Sequence, residues 1–83
     1  MDYSQMIDRG DPTPLYAQHK NALQEQIRTG ALPYGEKLPS ENEFMEQLGL
    51  SRMTIRSALS QLANENYVQK IHGKGTFVCY NTA

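Results

Sequence analysis

A single cysteine among 83 residues, Cys79, can close no internal disulfide and cannot supply a zinc site by itself. That usage fits a reducing compartment, and the cytoplasm is the expected location. No apolar run approaches the ~20 residues that span a bilayer, so no membrane contact is expected. The opening residues, MDYSQMIDRG, lack the basic-then-apolar plan of a secretion signal. The patterns that mark an enzyme are missing too: no nucleophile beside a base, no carboxylate pair at a distinctive spacing, no cluster of metal-ligating side chains. His19 stands without ligand partners on or beside a helical stripe and reads as a packed or half-exposed helix residue. Catalytic, metal and cofactor sites are therefore not expected. Nor is there an overall positive charge, since the formal net charge is −1.

How the charge is distributed matters more than its sum. Residues 1–50 hold four Lys/Arg against eight Asp/Glu, whereas residues 51–83 set Arg52, Arg56, Lys70 and Lys74 against Glu65 alone. An electrostatic footprint for phosphate is a local property, so the second half carries it. With 39% hydrophobic and 20% charged residues, the chain is apolar enough to fold, and its length allows one small core.

The stretch Ser51–Leu62, SRMTIRSALSQL, organises the rest. Ser51 can cap a helix through its hydroxyl. Ile55, Ala58, Leu59 and Leu62 follow as one apolar stripe, with Leu59 expected to be buried against Leu23, Ile27 and Phe44. Arg52, Met53, Arg56, Ser57 and Ser60 fall on the opposite face. Arginines in the first turns of a helix oppose its macrodipole, which favours anions there, and a binding role explains them.

Upstream, residues 1–12 are polar and broken by Gly10 and Pro12, and a loose arm is expected. Thr13-Pro14 predicts a helix start with proline at the first helical position, and Leu15, His19, Ala22, Leu23 and Ile27 trace its stripe to Gly30. Lys37-Leu38 has room for only a scrap of strand. Ser40 and Glu43 form a capping box that opens a helix over Glu41–Leu48, with Phe44 and Leu48 buried. Gly49 then begins a three-residue turn into the Ser51 helix, which is the helix-turn-helix pattern. Asn66 can take the left-handed conformation that closes the last helix. Tyr67–Ile71 and Thr76–Tyr80 are β-prone runs around His72-Gly73-Lys74-Gly75, a hairpin with a small basic tip. The G-K-G-T string lacks the spacing of a phosphate-binding P-loop and leads into a strand, so that reading is excluded.

Five strings occur in order: PLYAQ, the Ile27-x-x-Gly30-x-Leu32 step, Gly35-x-x-Leu38-Pro39-Ser40-Glu41, SRMTIRSAL and GKGTFV. With them, the chain from Pro14 to Val78 resembles the N-terminal DNA-binding domain of the GntR family of bacterial transcription regulators. LPSENEF and SRMT look like the HutC-type branch, which includes trehalose-repressor-like members. The arabinose-repressor branch, which shares Glu41-Asn42-Glu43, is the runner-up.

The resemblance implies an α+β fold, a winged helix-turn-helix of three helices plus a small antiparallel β-hairpin wing. That domain is expected over 13–80, between a flexible arm at 1–12 and a tail at 81–83. It implies sequence-specific binding to palindromic double-stranded operator DNA by a homodimer. It also implies a repressor's role, relieved by a small-molecule effector bound to a C-terminal domain outside these 83 residues. By motif position, DNA contacts are expected from Ser51, Arg52, Met53, Thr54 and Arg56, from His72, Gly73 and Lys74 at the wing, and from Asn42. Asn42 stands where some relatives carry a DNA-contacting arginine. Asn66 and Tyr67 replace the usual Gly-Leu pair, which should alter packing more than DNA binding. The alternative is a winged-helix module that docks its arginine face on an acidic protein, a role needing no glycine-rich basic wing.

Overall fold

Each helix in the computed structural model, which describes Tyr3 and residues 7–80, starts and stops where local chemistry dictates. The order is α1 (Leu15–Arg28), α2 (Glu41–Leu48), α3 (Arg52–Asn64), β1 (Val68–Ile71) and β2 (Gly75–Val78). Pro14 takes the cap position of α1, so the helix starts one residue later than expected, and no side chain caps it. Gln18 reaches back instead, donating to Thr13 O at 2.8 Å and accepting from the Asp8 N–H at 2.8 Å.

The entrance to α2 is the expected capping box. The Glu43 N–H donates to Ser40 Oγ at 3.1 Å, and the Ser40 N–H donates to Glu43 Oε1 at 2.9 Å. Two of the four orphan amides at a helix start are satisfied in this way. Gly49 ends α2 in the left-handed conformation, φ 67°, where any Cβ would also lie 3.1 Å from Arg9 Nη2. Ser51 then caps α3 through the Thr54 N–H.

β1 and β2 pair antiparallel from Val68↔Val78 to Ile71↔Gly75, which leaves His72, Gly73 and Lys74 as the loop. Lys37 adds the expected scrap of strand as an isolated bridge to Phe77, with the Leu38 N–H donating to Thr76 O at 2.9 Å. Asn66 is left-handed at φ 65°, and Tyr67, freed from helical geometry, stacks on Tyr80 at 4.7 Å and 16°.

The core forms where α1 and α2 pack on α3, and α3 on β1. Phe44 is its centre, sealed edge-on by Tyr3 at 5.2 Å and by His19 at 4.7 Å. Leu23, Ile27, Ile55, Ala58 and Leu62 are all buried with it. A salt bridge from Lys20 to Glu65, at 2.8 Å, ties α1 to the end of α3.

One expectation needs correction. Leu59 is half-buried, not buried. With Ile55 set at 0°, Leu62 falls at about −20° and Ala58 at about −60°, but Leu59 falls at about +40°. The stripe is therefore centred on the Ala58 side, and Leu59 lies at its edge. The arm makes contacts at its described positions. Tyr3 is 7% exposed against Phe44, and Arg9 Nη2 donates to Leu48 O at 3.1 Å and Gly49 O at 3.0 Å. The guanidinium thus caps the free carbonyls at the end of α2, a helix with no basic residue of its own in the last turn. Residues 1, 2 and 4–6 of the arm, and the tail at 81–83, lie outside the described residues.

Candidate nucleic-acid interface

An open groove of about 600 Å³ runs between the start of α2 and one face of α3 on one side and the β-hairpin on the other. The capping box fixes where α2 begins, and the Gly49 turn fixes the direction in which α3 leaves it. Together these put Glu41 and Asn42 of α2 beside Arg52 and Arg56 of α3.

The Glu41 carboxylate bridges both arginines. Arg52 Nη1 donates to Oε1 at 3.1 Å, and Arg56 Nε donates to Oε1 at 3.1 Å and to Oε2 at 2.9 Å. Arg52 Nη2 also donates to Asn42 Oδ1 at 2.7 Å. Partial burial alone would raise the Glu41 pKa. Hydrogen bonds from Arg56 and Arg52, with the charges of Arg56 and Lys70, outweigh it and hold the carboxyl below its usual range. The group stays ionised and keeps its grip.

The two arginines end up in different states. Arg52 has both terminal nitrogens engaged. Arg56 is held by Nε alone, so its terminal fork has no protein partner among the described residues. Planar pairs of donors of this kind match the paired O6 and N7 acceptors of guanine.

The groove brings together Asn42, Arg52, Arg56, His72, Gly73 and Lys74 of the expected contacts. Ser51, Met53 and Thr54 do not line it. Met53 projects into solvent at 75% exposure from the outer face of α3. Ser51 Oγ and Thr54 Oγ1 lie 2.8 Å apart, and the serine already accepts the Thr54 N–H, so these hydroxyls first serve to cap the helix. Sequence reasoning overlooked Glu41 and Lys37 as parts of the same surface, and counted Lys70 only in the positive charge of residues 51–83. Glu41 could have been found: it lies next to Asn42 at the start of a helix that turns straight into α3. Lys37 carried no such signal, because a long-range pairing places it.

Among the described residues no group of three or more His, Cys, Asp or Glu could hold a metal ion. Nor is any described helix long and apolar enough to cross a membrane.

The pattern of the gntR family of bacterial regulatory proteins matches residues 15–78, from the first residue of α1 to the last of β2. The chain belongs to the gntR family. It is 47% identical over 72 residues to the HTH-type transcriptional repressor NagR of Bacillus subtilis, covering 87% of this chain and 30% of NagR. It is 46% identical over 67 residues to the histidine utilization repressor of Pseudomonas aeruginosa, covering 81% of this chain and 27% of that protein. This gntR-family chain thus spans less than a third of the length of these curated relatives. The second of them agrees with the HutC-type branch expected from LPSENEF and SRMT. Among solved structures, AraR(DBD) in complex with operator ORE1 matches at a TM-score of 0.78 and 37% identity, over 88% of this chain and 89% of that one. The gntR-family fold here is accordingly the winged helix-turn-helix, with α2 and α3 as its two helices and β1–β2 as its wing.

Proposed function

We propose that this chain is the operator-reading domain of a transcriptional repressor. In this reading α3 enters the major groove of double-stranded DNA, and the wing follows the adjoining backbone. One observation carries the reading: a carboxylate from α2 holds two α3 arginines in a groove that faces a basic wing. Arginines disposed to supply charge alone would need no such clamp. The repressor's role is supported by the names of the relatives NagR and histidine utilization repressor. DNA as the partner is supported by the solved complex of AraR(DBD) with its operator.

Arg56 then reads a guanine through its free terminal fork, and Arg52 can join it only after Asn42 lets go. Asn42 acts on DNA indirectly, as the partner that holds Arg52. Ser51, Thr54, His72, Gly73 and Lys74 contact backbone, where they set register. Met53 lies against the wall of the DNA major groove beside them. Two copies bind a palindromic operator, with half-sites about one helical turn apart. Release by a small molecule acting through a further domain completes the proposal.

Selection of bound duplexes from a random pool, followed by sequencing, tests it. The expected result is an inverted repeat with at least one guanine in each half. A pool that shows no enrichment would overturn sequence-specific reading.

A further inference from the structure

Five basic side chains, Lys37, Arg52, Arg56, Lys70 and Lys74, line the groove against two carboxylates, Glu41 and Glu43, in a chain whose formal net charge is −1. Both arginines are already paired with Glu41. The three lysines have no salt-bridge partner among the described residues. The free positive charge of the groove therefore stands on its wing side.

Two of those lysines lie outside the recognition helix and the wing loop. Lys70 sits on β1 opposite Thr76, and Lys37 is bridged to Phe77 on the other side of β2. Thr76 and Phe77 are successive strand residues, so the two lysines leave the small sheet on opposite faces. Both still line the groove. Lys37 arrives there by laying its stem across Gly75. An ideal Cβ at that glycine, which has φ +127°, would lie 2.9 Å from Lys37 Cε. Gly75 is thus the gap through which this lysine reaches the wing.

We infer that Lys37 and Lys70 are phosphate-binding residues that grip the DNA backbone from the two faces of the wing, with Lys74 between them at the tip. This rests on the DNA-binding reading and adds to it two contacts from outside the helix-turn-helix. A lysine is a flexible point charge on a long stem, suited to phosphate and poor at telling one base from another. The two contacts therefore add affinity for any sequence and leave the preference for the operator unchanged.

The test is a salt titration of duplex binding by the unmutated chain, by Lys37→Ala, Lys70→Ala and the double variant, and by Lys37→Arg with Lys70→Arg. Both lysines are exposed, so the variants keep the core intact. Each alanine should flatten the slope of log K against log salt by ~0.9, the double variant by about twice that, and the arginine pair should restore it. The ratio of operator to scrambled-duplex affinity should stay constant throughout. If the unmutated chain binds with a steep salt slope and the double alanine variant keeps that slope, the two lysines touch no phosphate and the inference fails alone. If the unmutated chain shows no salt-dependent duplex binding, the DNA-binding reading fails and takes this inference with it.

Discussion

His19 is an imidazole sealed in an apolar core, with neither ring nitrogen hydrogen-bonded among the described residues and the ring packed edge-on against Phe44. Burial pushes its pKa down to about 4. The folded protein therefore keeps it neutral, while the unfolded chain, ionising near pH 6.5, takes up a proton first as the pH falls. Stability from this residue is steady above about pH 6.5 and declines through the window from 6.5 to 4, by roughly 3 kcal/mol in all. Denaturant unfolding at pH 7 and pH 5 should show a loss of about 2 kcal/mol that His19→Leu removes; an equal loss in that variant would contradict the burial. Glu41 permits a prediction with two signs. Glu41→Gln removes a negative charge from the surface that meets phosphate in the proposed function, so affinity for scrambled duplex should hold or rise. The same change loosens Arg52 and Arg56, so operator affinity should fall, by no more than about five-fold because an exposed ion pair is worth ~0.2–1 kcal/mol. A change of the same sign and size on both duplexes would mean that the carboxylate positions nothing.

At the scale of the elements, most ends are legible in the sequence because side chains close along the chain set them. The Ser40–Glu43 box, the left-handed Gly49 and the Ser51 cap each satisfy backbone groups three or four residues away, and the pattern of residue types announces them. Legibility fails where a partner lies far along the chain. The polar arm gives no sign that Tyr3 seals Phe44, or that Arg9 crosses 40 positions to cap the Gly49 turn. Periodicity finds the apolar face of α3, but the centre of that face depends on what α1 offers it. The corrected centre changes the stability forecast. Ile55→Ala, at a fully buried site, should cost ~2–5 kcal/mol, and Leu59→Ala, at the half-buried edge, about half that or less. Thermal unfolding of the two variants decides the order. Equal losses would move the helix back to the orientation expected from periodicity alone.

At the scale of the whole molecule, the groove is assembled from segments that neighbour one another only after folding: the Lys37 bridge, the start of α2, the Arg52–Arg56 face of α3 and the hairpin. The net charge of −1 hides it, and the charge of residues 51–83 shows only part of it, since Lys37 and Glu41 come from the acidic half. The arginine pair is legible as a face, and Glu41 as its neighbour at the start of α2; which arginine nitrogens Glu41 and Asn42 occupy, and so the inequality of the pair, is not. That inequality is what reads DNA sequence in the proposed function, with Arg56 leading. Operator and scrambled-duplex affinities measured at one fixed salt concentration for Arg52→Ala, Arg56→Ala and Arg56→Lys test it most directly. Arg56→Ala should lower the ratio of operator to scrambled affinity by roughly five- to a hundred-fold, the ~1–3 kcal/mol of one bidentate guanine contact. Lysine at position 56 should restore little of it, since it lacks the planar fork. A ratio preserved in both alanine variants, with affinity lost equally on every duplex, would show two arginines that only clamp phosphate, and would contradict base reading by either.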